Sequence, residues 1–378
     1  MYKPLKNRVF AFLVSLTGCI GAAQALPYSN LVFFGDSLSD TGNVLSLTTA
    51  FAQPPFPNFP GAPGRFSNGP VWTEYLASGL GLASAAKPSN LLFTGSAVVP
   101  IGPQGGQNFS YGGARTGLGG AAGPTTGLLG QLIDWNGSAF STALTRAADS
   151  NALYVVTGGA NDLRDARSAN PGSTAADAVA RAAAAATTAA NVTKALALLA
   201  QAGARHFLIS NLADLGRTPE AVGLGVVSAS TDVTLRFNAD LAADAAFLDA
   251  QFLTSFGIDL DIRSIDLYGL SNAVYDDALN HRGARYGIPN VTAPCIAPGP
   301  FSRQYFFPDA TDINCSVSAF SDPLHPSAAA HQLIGRLALA AAVPEPASMA
   351  LMGLALAMML VLSLRRVGVA HPKQANTA

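Results

Sequence analysis

Short apolar runs alternate along this chain with much longer helical stretches, and that alternation restricts the fold more than any other feature. The runs are residues 31–34 (LVFF), 153–157 (LYVVT), 207–210 (FLIS) and the alternating stretch 261–267 (DIRSIDL). Helical patterns occupy 71–80, 128–135, 175–202 and 231–256, the third dominated by alanine and stopped at Gly203. Strands separated in this way cannot close hairpins on one another. They must pair in parallel, with helices covering both faces of the sheet. Hydrophobic residues make up 49% of the chain and charged residues 12%, enough apolar material for a large core. The net charge of -1 leaves no basic excess to neutralise phosphates, which argues against nucleic acid as a partner.

The first run carries the chemistry. Gly35 ends it, and Asp36-Ser37 follow on a turn that lifts the Ser37 hydroxyl to the carboxyl-end edge of the sheet. A serine there can act as a nucleophile if a base and an orienting acid reach it from elsewhere. Asp322 and His325 form a DxxH pair on a loop feeding the last helix, whose start is marked by Pro326 and Ser327. That spacing lets the carboxylate take one imidazole nitrogen while the other faces the serine. Of the remaining histidines, His206 opens a strand, His371 lies in the tail, and His281 and His331 have no suitably spaced acid. A metal site built from Asp322, His325 and His331 lacks a further strong ligand, so neither metal nor cofactor is expected.

Two further turns follow strand-like pieces and reach the same edge. Gly113, in NFSYGGA, can offer a backbone N–H, and Asn161, in GGAND, its side-chain amide. With the Ser37 N–H they make three donors for a developing oxyanion. The blocks GDSLSD, NFSYGGA, GGAND and DPLHPS, in this order, resemble the four signature blocks of the GDSL, or SGNH, hydrolase family. Residues 64–77 (GRFSNGPVWTEYLA) are similar to a stretch of its plant-lipase-like and haemolysin-like branch. The resemblance implies an α/β fold, a flavodoxin-like three-layer α/β/α sandwich around a five-stranded parallel sheet. It also implies a carboxylic ester hydrolase with Ser37 as nucleophile, Asp322 and His325 completing a triad, and Ser37, Gly113 and Asn161 forming the oxyanion hole. Gly113 fits the family block better than Gly112. Many members of the branch carry Trp before the acid, where this chain has Ser321.

Both ends read as targeting sequence. Basic residues precede the apolar run 9–20, and Ala23-Gln24-Ala25 suits cleavage, so residues 1–25 are expected to be an export signal. The LTGC box ending at Cys19 offers lipidation as the second choice. Export then predicts a disulfide between Cys295 and Cys315 rather than two free thiols, closing a loop of about 20 residues and stabilising it by about 3 kcal/mol. The hydrolase domain is expected over 26–342. After the VPEP break, residues 347–364 form an uncharged run of about 27 Å as a helix, stopped by Arg365-Arg366 and followed by a cytoplasmic tail over 367–378. Residues 343–366 resemble a PEP-CTERM sorting signal. That implies a Gram-negative bacterium, an exosortase as processing partner, a transient membrane anchor and a surface or exopolysaccharide location. The Pro- and Phe-rich loop 52–69 is read either as a pocket wall or as a purely structural loop. The rival readings are a non-catalytic surface or matrix-binding protein on the same fold, and a membrane-embedded structural protein.

Overall fold

The computed structural model describes residues 27–59, 61–296, 314–343 and 358. The expected export signal, Cys19, the membrane segment 347–364 apart from residue 358, and the tail lie outside the described residues. Strands β1 (Leu31–Phe34), β2 (Leu153–Val156), β3 (His206–Ser210) and β4 (Asp261–Ile265) pair in parallel in that order. Leu31 lies opposite Leu153, and His206 opposite both Leu153 and Asp261.

Because side chains alternate along a strand, this register sorts the sheet into two apolar faces. Leu31, Phe33, Leu153, Val155, Leu208 and Ile265 pack against helices α2 (Trp72–Gly79) and α8 (Ala328–Ala342). Val32, Phe34, Tyr154, Val156, Phe207 and Ile209 pack against α3 (Leu128–Asn136), α5 (Ala175–Gln201) and α6 (Val227–Phe256). The result is the α/β/α sandwich. α5 is apolar and long enough to span a bilayer by composition, but Ala185, Ala189 and Ala195 are fully buried in the core. Its alanines allow close approach to α6. Thr174 and Asp177 close a reciprocal cap at its start.

The strand count differs from expectation: the central sheet has four strands among the described residues, not five. The fifth place is taken by the segment 107–111, bonded to β1 through Phe33 N–H to Gln107 O (2.9 Å) and Phe109 N–H to Phe33 O (2.8 Å). It pairs through isolated parallel bridges only. The Asn43 side-chain amide takes the carbonyls of Asn108 and Ser110 (2.8 Å each), and the glycine turn at 112–113 ends the segment. Counted in that place, it gives a doubly wound order with β1 between the first crossover and the rest. β1 therefore ends at a topological switch point, where such sheets open a crevice.

Three helices carry no strong pattern in the sequence: α1 (Asn43–Ala50), α4 (Ala160–Ala169) and α7 (Leu267–His281). α4 buries little more than Leu163, Ala166 and Arg167, too thin an apolar stripe to read. α7 begins where the last strand was expected to continue, because Asp266 accepts the Gly269 N–H and starts the helix.

Candidate active site

The turn after β1 is held from both sides. Gly35 donates its N–H to Gln131 Oε1 (2.8 Å) and accepts from Gln131 Nε2 (2.7 Å). A β-carbon at Gly35 would sit 2.8 Å from Thr157 Oγ1, so only glycine lets the chain pass so close to the end of β2. The N–H groups of Ser39 and Asp40 return to the Asp36 carbonyl (3.0 Å each), a tight turn that projects Ser37.

Ser37 Oγ lies 2.9 Å from His325 Nε2, and His325 Nδ1 lies 2.6 Å from Asp322 Oδ2. Asp322 Oδ1 also accepts the backbone N–H groups of Leu324 (2.8 Å) and His325 (2.6 Å). Burial by itself would raise the Asp322 carboxyl. The His325 charge and these hydrogen bonds outweigh it and hold the group below its ordinary value. With Asp322 an acceptor only, Nδ1 carries the proton and Nε2 is left to receive one from Ser37.

The loop bearing this pair is tied at its base. Ser321 is fully buried, donating its N–H to the His325 carbonyl (2.8 Å) and its hydroxyl to the same oxygen (3.1 Å). Ser321 thus closes the loop by hydrogen bonds. Ser67 donates to the Pro326 carbonyl (2.9 Å), and Asn68 Oδ1 accepts the Ala328 N–H (2.8 Å). The loop 52–69 is therefore a brace for the histidine loop. Its buried Phe66 packs on the His325 ring (centroids 5.3 Å apart), with Phe56 edge-on behind it (5.4 Å). These phenylalanines support the imidazole and do not line the cavity. Cys295 and Cys315 are joined by a disulfide, and Cys295 N–H reaches the Phe320 carbonyl (3.0 Å) beside the same loop.

The two candidate glycines differ in what their N–H groups do. Gly112 spends its N–H on Asp40 Oδ2 (2.9 Å), which also takes the Val44 N–H (3.2 Å) while Oδ1 takes those of Gly42 and Asn43 (2.8 Å each). Burial pushes the Asp40 carboxyl up to about 6 against the pull of those four groups. The N–H groups of Ser37 and Gly113 make no hydrogen bond among the described residues. Gly113 has φ +74°, a left-handed conformation that favours glycine. Asn161 faces the same cavity, its Nδ2 donating to the Ala114 carbonyl (2.9 Å) and its Oδ1 accepting from Arg164 Nη1 (3.2 Å). Arg164 and its ion pair with Glu220 have no motif of their own. The three-residue spacing of Asn161, Arg164 and Arg167 on α4 is the one signal that could have drawn attention to them.

Beside Ser37 and His325 opens a cavity of about 150 Å³, walled by Leu215, Leu270, Val274, Val291, Phe320 and Leu333. Comparison with known proteins follows the same blocks. The family described as GDSL-like Lipase/Acylhydrolase matches residues 31–338. The chain belongs to the GDSL lipase/acylhydrolase family. Among curated GDSL relatives and their kin, it is 28% identical over 350 residues to Esterase EstA of Pseudomonas aeruginosa, covering 87% of this chain and 49% of that protein. It is 26% identical over 325 residues to the thermolabile hemolysin of Vibrio parahaemolyticus (83% and 63%). It is 44% identical over 81 residues to the phosphatidylcholine-sterol acyltransferase of Aeromonas hydrophila (20% and 22%). The chain thus spans 49% of the length of the EstA proteins it matches. A PEP-CTERM protein-sorting motif matches residues 342–366, which implies export in a Gram-negative bacterium, a membrane-anchoring C-terminal region and processing by an exosortase.

Proposed function

We propose that this GDSL protein is an exported serine hydrolase that cleaves carboxylic esters through an acyl-enzyme. The observation that carries the reading is the unbroken line from Ser37 Oγ through the His325 ring to Asp322. His325 Nε2 takes the Ser37 proton as Oγ attacks the ester carbonyl. The resulting oxyanion is met by the N–H groups of Ser37 and Gly113 and the second Nδ2 proton of Asn161, each worth a few kcal/mol in the transition state. The imidazolium, stabilised by Asp322, passes its proton to the departing alcohol, and the same histidine then draws a proton from water to release the acid.

The cavity wall favours an acyl chain over acetyl as the acid portion, and so a lipid or phospholipid ester over an acetylated polysaccharide. A channel of leucine, valine and phenylalanine has nothing to offer a lone methyl, while each further methylene it buries adds about 0.8 kcal/mol. p-Nitrophenyl esters of graded chain length test both parts, with Ser37→Ala in parallel. kcat/KM should climb by up to about 4-fold per methylene from acetate until the cavity is full. Equal rates for wild type and Ser37→Ala would end the hydrolase reading, and a best rate on acetate would end the acyl-chain assignment. A non-catalytic matrix-binding role would leave the serine–histidine–aspartate line without use.

The chain is organised, in this reading, as an export signal over 1–25, the hydrolase domain over 26–342, and a sorting segment over 343–366 whose helix 347–364 anchors it in the membrane. The tail 367–378 stays cytoplasmic until an exosortase acts. Delivery to the cell surface would set the enzyme beside exopolysaccharide and envelope lipid.

A further inference from the structure

Asn161 carries an amide whose two ends differ only in which is donor and which acceptor, and an oxyanion can be stabilised only by the N–H end. Whatever decides the orientation of that amide decides whether the site works. On one side stands the Ala114 carbonyl, which can only accept, 2.9 Å from Nδ2. On the other stands Arg164 Nη1, which can only donate, 3.2 Å from Oδ1. A flipped amide would face oxygen with oxygen and N–H with N–H.

Arg164 is itself held. Its Nε donates to Glu220 Oε2 (2.9 Å) and its Nη2 pairs with Oε1, a two-pronged grip that sets the plane of the guanidinium. The Glu220 side chain is 1% exposed and is also paired with Arg167, equally buried, whose Nη1 reaches Ser230 Oγ (2.9 Å). The backbone N–H of Glu220 donates to the Pro323 carbonyl (2.8 Å), between Asp322 and His325. One buried residue thus anchors the guanidinium behind the oxyanion donor and touches the loop that presents the base.

We infer that Arg164, gripped by Glu220, is a positioning residue that fixes the Asn161 amide with its N–H toward the carbonyl under attack. This rests on the hydrolase reading above. Arg164 also lines the cavity, but the role assigned to it runs through its bond to Asn161.

A double-mutant cycle tests it. Arg164→Met in the wild-type background should lower kcat on a p-nitrophenyl ester by about 30-fold, part of the cost of losing one oxyanion donor, with KM changed less than about 2-fold. In an Asn161→Ala background the same substitution should cost less than about 3-fold, because no amide remains to orient. Arg164→Lys, which keeps the charge beside Glu220 but not the fork, is run in both backgrounds with thermal melts of every variant. It carries the test should Arg164→Met fail to fold, with a loss of about 5-fold expected only where Asn161 is present. Equal losses in both backgrounds for the folded variant would overturn the inference. The Ser37→Ala control separates the two failures: a dead control with additive losses removes only the role of Arg164, and an active control removes the hydrolase reading itself.

Discussion

Gly112 and Gly113 are adjacent glycines kept small for different reasons. A β-carbon on Gly112 would lie 2.1 Å from the Phe66 ring, the ring that backs His325. Gly113 has the left-handed backbone and would meet Ala121 at 2.6 Å. The family block pointed to Gly113 as donor without a physical reason for preferring it. In the proposed mechanism Gly113 is favoured because Asp40 already holds the Gly112 N–H. Asp322 is equally specific in its role. Asp322→Asn keeps the shape but presents an N–H to His325 Nδ1 or loses the backbone bonds, which favours the tautomer with its proton on Nε2. Ester turnover should then fall by about 10³- to 10⁴-fold with the fold intact by circular dichroism, and a loss under 10-fold would contradict the role.

At the scale of elements, α8 does more than cover the sheet. Its cap, Ser327, accepts the Ala330 N–H (3.2 Å) and donates to the Ser318 carbonyl, so one hydroxyl ties the helix start to the strand-like segment before the histidine loop. Ser327→Ala should cost about 1–3 kcal/mol, measured as a shift in the urea midpoint, and should lower kcat because the cap stands two residues from His325. An unchanged midpoint would mean that the loop is held elsewhere. α2 and the loop before it follow the same logic. Trp72 donates its backbone N–H to His331 Nδ1 (3.3 Å) and its indole N–H to Ser39 Oγ (3.2 Å), linking the last helix to the serine turn. Of the two aromatic residues in 71–80, Trp72 is buried in the core and Tyr75 is half-buried. The service of Trp72 to the site shows only through contacts 259 and 33 residues apart along the chain.

Across the whole molecule, two buried groups away from the reaction add opposite slopes to the response to pH. Burial, with a smaller push from the His325 charge, drops the His331 imidazole to about 3. Its unfolded form takes a proton near 6.5 and the folded form does not, so its contribution to stability is complete above pH 6.5 and is lost as pH falls toward 3. Burial raises the Asp134 carboxyl to about 8 against a weaker pull from the Phe93 N–H. Its contribution is complete below pH 3.8 and is lost as pH rises through 8. Between pH 4 and 6.5 the two slopes oppose, so single variants reveal them better than wild type. Relative to His331→Asn, wild type should gain about 3 kcal/mol from pH 4 to 7; relative to Asp134→Asn, it should lose about 4 kcal/mol from pH 5 to 8.5. Urea melts across that range check both, and flat differences would contradict them. The chain's own order determined the strand and helix positions, the serine at the end of the first strand and the acid–histidine pair, because each of these depends on periodicity or on residues within a few places of one another. Only the tertiary structure decided that a fifth strand is reduced to bridges, which glycine keeps its N–H, that phenylalanines back the imidazole, and that a partly buried arginine paired with a buried glutamate stands behind Asn161. Those features depend on side chains from distant segments meeting at one edge of the sheet, and a contact between distant segments leaves no period or spacing to read.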